Sequence, residues 1–423
     1  MIHGDADGTA SVTAPDTLFA PERDAHPDDI YDYYARFREA APTARGQEGW
    51  AGGDPALVLL RHADVHASLR DSRLGKEWRH LAPPGEPPHE PEPKSFGDVA
   101  RHFMLFRDPP DHTRLRSTAN MAFTPRHVTN MREPIANLAS RLVAGLRGRD
   151  EPADLIASFA YPLPVLVIAG ILGVPEEDFP RFRDWAAVIA AAIDLPVTGL
   201  AAFVQRADQT SSELVDYLSW IVAQRRADPR DDLISSLIAA ETAEGKIDEH
   251  ELIATLILLL VAGHETTVNL IGNGTLALLR HPDQWRALVD DPSLARNATE
   301  ELLRYDSPVQ MTTRLAFEDM EVAGMPIRRG TEVFFVLGSA NRDPRAFEAP
   351  DTLDIRRNVG RIMSFGMGIH FCLGAPLARL EGEIAFQTLA REAPDLCLAT
   401  GTPRWRAGLI LRGLHDLPVT IAR

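Results

Sequence analysis

Apolar residues recur at three- and four-residue spacing over most of the chain, in runs long enough to be helices. The pattern predicts helices over 28–41, 111–123, 128–146, 154–172, 176–194, 201–226, 233–243, 249–280, 282–289 and 295–305. Alternating or short apolar runs that predict strands are few: 57–60, then 313–317, 320–322, 332–336 and 416–421 late in the chain. Residues 82–94, APPGEPPHEPEPK, can be neither helix nor central strand, because proline fixes φ and removes a backbone donor. They form a loop. The first 24 residues are polar and read as a flexible tail. No repeat and no later proline- or glycine-rich linker divides the remainder. The expected fold is mainly α with small β-sheets, in one domain over 25–423.

Composition narrows the partners. A formal net charge of -16 over 423 residues excludes general nucleic-acid binding, which rests on cations that neutralise phosphates. The strongest apolar stretch, 252–263, is shorter than the roughly 20 residues that cross a bilayer. It therefore predicts a buried helix segment and no membrane span. The N-terminus lacks the basic start and apolar run of a signal peptide. With only two cysteines, Cys372 and Cys397, a disulfide framework is not expected, and a reducing cytoplasm fits. No second cysteine or histidine cluster stands near Cys372 at the spacing of a structural zinc site.

Cys372 lies in SFGMGIHFCLG, followed by a good helix that starts near Gly374 and Pro376. Gly366 and Gly368 suit a tight turn, and a sulfur just ahead of a helix N-terminus gains from amide donors and the helix dipole. Such a sulfur serves as a nucleophile or as a metal ligand. His370 is two residues away, a spacing that does not by itself aim a base at sulfur. Cys397 has no such surroundings and reads as a buried structural cysteine.

Two other stretches stand out. In LLLVAGHETTV, Gly263 interrupts an apolar helix at a cost of about 1 kcal/mol relative to alanine. Its compensation is expected to be a close approach, with Ala262, Glu265 and Thr266 beside the gap and Leu259 on the same face. An acid and an alcohol there can relay protons, or the threonines simply bond back to the preceding turn. HETTV also begins like a zinc-protease motif, but Val268 replaces its second ligand. In EELLRY, Glu301 and Arg304 share one helix face.

In this order the three stretches closely resemble the cytochrome P-450 superfamily, in its soluble bacterial form, over nearly the whole chain after the first twenty or so residues. Phe365, Gly368, Cys372 and Gly374 match its cysteine motif. The resemblance implies a haem b cofactor between the long distal helix and the cysteine loop, with Cys372 as axial ligand of the iron, Phe365 shielding the sulfur, the backbone amides after Cys372 tuning it, and Gly366 in the turn that brings the loop close. It implies His112, Arg116 and Arg314 as partners of the two haem propionates, and His370 as a neighbour of the haem edge. Ala262 and Gly263 would leave room for dioxygen, and Glu265 and Thr266 would supply protons for its activation. Glu301 and Arg304 would be a buried structural pair. Two positions depart from the family pattern. Ile362 stands where relatives often carry histidine, leaving Arg361 as a substitute, and Thr352 stands where an arginine completes the Glu301–Arg304 network, leaving Arg356 or Arg357.

The implied activity is hydroxylation or epoxidation of a hydrophobic small molecule with dioxygen as co-substrate. Electrons would come from a separate ferredoxin or flavodoxin and its reductase, docking on a patch with Arg114, Arg126 and Arg379. Leu259, Val309, Met311 and Thr312 are the expected substrate contacts, and a cytoplasmic monomer is expected. The alternatives are a haem-thiolate sensor that does not activate oxygen, a peroxide-driven or phenol-coupling variant, and a thiol hydrolase without haem.

Overall fold

The computed structural model describes residues 30–40, 43–48, 55–81, 92–148, 151–194, 200–244, 247–399, 403–406 and 408–421. The expected N-terminal tail and residues 82–91 of the proline-rich loop lie outside them.

Helices dominate, as the periodicity predicts. The helices Glu249–Arg280 and Ala295–Tyr305 have the bounds read from the pattern. The expected helix over 128–146 is instead two, Pro125–Asn130 and Arg132–Ala144. The one over 154–172 becomes a π-helical turn, Ile156–Ala160, followed by Pro162–Leu172, because Pro162 and Pro164 sit where a continuous ladder needs donors. The short helices His62–Ser68 and Phe96–Ala100 carry too few apolar residues to show a period.

The 32-residue helix Glu249–Arg280, the long helix, is the axis of the molecule. Asp248 caps it in a full capping box with Glu251, which satisfies two end donors reciprocally. Glu251 does more. Its two oxygens accept from Arg114 at 2.6 Å each, tying the helix Asp111–Ala119 to the start of the long helix. By length and composition the long helix could cross a membrane, contrary to the expectation from 252–263 alone. However, 83% of its most apolar window is buried in the protein, so it is the core helix. Helix Ala375–Glu392, which follows Cys372, packs against it and against Ala295–Tyr305. Leu270, Leu302, Ile384 and Phe386 belong to one buried cluster there.

The strands gather into small sheets, of which the largest has the order 43–48, 55–59, 332–336, 311–316, 74–75. Leu57 pairs with Val333 in parallel, and Arg314 pairs with Val333 antiparallel on the other side. The short strand Leu74–Gly75 pairs with Ala316 and Leu315. Gly75 allows this docking, since a Cβ there would lie 2.2 Å from the Phe317 ring and 2.7 Å from Asp108 Oδ2. The next residue, Lys76, is thereby brought beside Thr312 and Arg314.

Candidate active site

The cysteine loop is held by its backbone. Cys372 N–H donates to Phe365 O at 2.9 Å, so the loop closes on itself between these residues. Gly366 and Gly368 have φ of 64° and 72°, the left-handed region. At Gly368 a Cβ would also meet Leu69 O at 2.6 Å. Burial pushes the Cys372 thiol up from its ordinary range, while the Gly374 amide, the Arg116 guanidinium and the Ala375 amide pull it back. Burial thus outweighs the helix N-terminus at this sulfur, and a coordinated metal ion would favour its thiolate form.

A basic cluster adjoins the loop. Arg116 donates to Phe371 O at 2.6 Å. The rings of His112 and His370 are 4.4 Å apart, and His112 Nδ1 and His370 Nε2 are both buried without a hydrogen-bond partner. Burial pushes His370 down to about 4, opposed by Asp108, and pushes His112 down as well. Burial thus favours the neutral form of both rings, which leaves each with one N–H to donate. Asp108 Oδ1 is 3.7 Å from His370 Nε2, too long for a hydrogen bond. Arg314 is 4% exposed, and among the described residues its side chain donates to Thr313 O and Thr312 Oγ1. Its desolvation lowers it to about 10.

The long helix carries the third part. Every residue from 251 to 278 is buried except Ala262, Gly263 and Thr266. A buried helix broken by one accessible patch of small residues is a cradle for a ligand surface. Thr266 Oγ donates to Ala262 O at 3.1 Å, the bond to the preceding turn. The close approach at Gly263 is made by a side chain. The glycine's missing Cβ admits Ile168 of helix Pro162–Leu172, whose Cδ1 would be 3.2 Å from a Cβ, so helix packing uses the gap. Glu265 is 4% exposed and turned to the opposite environment, bound to Arg406 and 3.6 Å from His264 Nε2.

These residues fit a haem. Its two anionic propionates match the orphaned imidazole nitrogens and the buried, carboxylate-free guanidinium of Arg314. Its iron matches a buried lone sulfur at a helix start. Its flat apolar face matches the window at Ala262.

Glu301 and Arg304 are fully buried and joined at 2.8 Å. Arg304 also donates to Asn341 O and Pro350 O. The third member is Arg357, whose Nε lies 3.1 Å from Glu301 Oε1, whereas Arg356 is exposed. Thr352 contributes only its carbonyl oxygen, which accepts from both arginines.

Several expected residues lie elsewhere. Met311 does not line a pocket with Thr312, because alternation along the strand turns it into the core with Ile30, Tyr34 and Phe334. Leu259 is buried among the helices. Val309 is half-buried and bridges Leu411. Arg361 is at the surface against His66, and Ile362 is in the core, so neither joins the basic cluster. Arg379 spends its charge on Glu300, with its guanidinium 4.4 Å over the Phe365 ring, and Arg114 on Glu251. Of the expected docking patch only Arg126 is an exposed cation without a described ion pair. Cys397 is exposed, with Sγ 3.0 Å from Thr420 Oγ1, and is not a core residue. Lys76, Asp108 and Arg406 show no local motif; only the chain's path brings them to the site.

Comparison with known proteins gives the family. The family described as Cytochrome P450 matches residues 83–291 and 290–392. The polyketide biosynthesis cytochrome P450 PksS of Bacillus subtilis is 41% identical over 410 residues, covering 96% of this chain and 99% of that protein. The vitamin D(3) 25-hydroxylase of Pseudonocardia autotrophica is 43% identical over 371 residues, 87% of this chain and 88% of that one. Among solved structures, P450BioI in complex with an acyl carrier protein bearing hexadec-9Z-enoic acid superposes with a TM-score of 0.85 at 37% identity, covering 95% of this chain and all of the other. The chain belongs to the cytochrome P450 family. It is a haem b monooxygenase that uses dioxygen and acts on a hydrophobic small molecule.

Proposed function

We propose that Cys372 is the axial ligand of the haem iron, that His112, Arg116, Arg314 and His370 bind the propionates, and that Thr266 and Glu265 manage the protons of catalysis. When bound, the haem supplies the iron at which dioxygen is activated, with a thiolate raising its electron density. The amides of Gly374 and Ala375 hold the sulfur lone pairs in place. Thr266 keeps its proton at Oγ, parked on Ala262 O, and releases it into the pocket by rotation about χ1. Glu265 takes protons from the far side of the helix, where Arg406 and His264 fix its carboxylate. The observation that carries this reading is the accessible window of Ala262, Gly263 and Thr266 in an otherwise buried helix.

The electron donor is a separate ferredoxin or flavodoxin with its reductase, and the enzyme works as a cytoplasmic monomer. PksS is named for polyketide biosynthesis and the Pseudonocardia protein for 25-hydroxylation of vitamin D(3), and P450BioI is seen with an acyl carrier protein bearing hexadec-9Z-enoic acid. A spin-state screen of macrolides, sterols and fatty acids is therefore the route to the substrate.

The assignment is tested by reducing the purified protein and adding carbon monoxide. The strongly red-shifted Soret band of thiolate-bound iron is expected, and it should vanish in Cys372→Ala. Its persistence in that variant would sink the ligand assignment.

A further inference from the structure

We infer that Lys76 and Arg314 together bind a carboxylate in the cysteine pocket, an inference that rests on the cofactor site proposed above. The motifs that point to the haem's anionic groups include Arg314 and leave Lys76 out. The two cations converge on a single neutral acceptor. Lys76 Nζ donates to Thr312 Oγ1 at 3.3 Å, and Arg314 reaches the same oxygen at 3.5 Å. Arg314 also donates to Thr313 O at 2.7 Å, so the acceptors around the two cationic groups are neutral oxygens, and no carboxylate of the described residues forms an ion pair with either.

The acids nearby are already committed or out of reach. Asp108 Oδ2 accepts from the backbone N–H of Lys76 and of Glu77, at 2.7 and 2.8 Å. Its other oxygen faces His370. Glu332, on the strand paired with Arg314, acts on Lys76 through space, as does Asp108. Burial, with Arg314 next to it, pushes the Lys76 ammonium well below the ordinary lysine range. A desolvated ammonium so placed recovers its charge when an anion arrives.

Geometry makes the pair deliberate. Thr312 and Arg314 are two apart on one strand, hence on one face. The strand Leu74–Gly75 pairs with Leu315 and Ala316 and delivers Lys76 to that face. Lys76 also acts electrostatically on His370, as do Arg314 and His112, so all belong to one basic cluster. A carboxylate is the anion that two cations of this spacing would share. It has two sources, a haem propionate or the acid group of a substrate.

The test uses the holoenzyme, with Lys76→Met and the charge-retaining Lys76→Arg. In the first arm, haem release to excess apomyoglobin is followed in the Soret region, and the propionate bending mode is read by resonance Raman. A propionate partner predicts release about tenfold faster in Lys76→Met, the factor expected from one charge-assisted hydrogen bond. The bending mode should shift, and Lys76→Arg should restore both. In the second arm, palmitate and methyl palmitate are titrated against the spin-state shift. A substrate carboxylate predicts about tenfold weaker palmitate binding in Lys76→Met, with the ester unaffected.

Either result supports the inference and identifies the source. The inference is overturned if Lys76→Met leaves release and the bending mode unchanged and changes acid and ester binding equally or not at all. If palmitate gives no shift in the unmodified enzyme, the first arm decides alone. Absence of the carbon monoxide band in the unmodified enzyme would instead refute the cofactor site itself.

Discussion

Arg357 Nε lies 3.1 Å from Glu301 Oε1, closing a buried network that Glu301 forms with Arg304 at 2.8 Å. Family relatives commonly supply this third member from the position Thr352 occupies here. The chain reaches the same carboxylate from five residues further on. Its guanidinium also donates to the carbonyls of Glu348, Ala349 and Thr352, which fixes the loop before the cysteine segment.

Removing that arginine should therefore loosen the loop more than it unbalances charge. Arg357→Ala is expected to cost about 1–3 kcal/mol in urea unfolding, the range for lost bonds to a charged group. Arg304→Ala should cost about 3–5 kcal/mol, because it leaves Glu301 buried with only Arg357 and the Asp354 amide, both on Oε1. Arg356→Ala, at an exposed position, should be neutral. Equal losses at 356 and 357 would refute the assignment.

Thr266→Ala should retain haem and the carbon monoxide band, since the hydroxyl bonds only to the preceding turn. Electrons should be diverted to hydrogen peroxide, with product per electron falling several-fold. The check is a parallel measurement of donor consumed, peroxide formed and product formed with any substrate found by the spin-state screen. Unchanged coupling would remove Thr266 from the proton path.

Glu381 supplies a pH dependence remote from the cysteine. It is 1% exposed, its Oε2 has no partner, and burial raises its carboxyl well above the usual range. The folded chain keeps the proton while the unfolded chain ionises near the ordinary carboxylate value. Between those two values the native state binds more protons, so stability falls as pH rises through the window. Glu381→Gln should therefore raise the melting temperature at pH 8 and change it little at pH 4. A gain of equal size at both values would show that Glu381 does not titrate this way.

Much of the molecule was legible in the sequence because its signals are local. Glu249–Arg280 shows its apolar face, its Asp248 cap and its Gly263 without reference to any neighbour. The cysteine loop shows its glycines, and Glu301 with Arg304 shows its i, i+3 pairing. What misled was also local. Gly263 read as a space for a small ligand, whereas Ile168 packs into it. Met311 and Thr312 read as a joint pocket wall, whereas strand alternation sends them to opposite faces. Arg114 and Arg379 read as free surface cations, although Glu251 and Glu300, over a hundred and nearly eighty residues away, take their charges.

Sequence by itself therefore determined the class of fold, the sulfur in its glycine loop, the long helix and the identity of most cations of the basic cluster, because periodicity and short-range motifs encode them. Only the tertiary structure decided which charges are paired and which are left for a ligand. Arg357 joined Glu301, Arg406 joined Glu265, and Lys76 came to share one hydroxyl with Arg314. Those outcomes depend on long-range strand register and helix docking, and on burial, which turns an ordinary side chain into one that needs a partner.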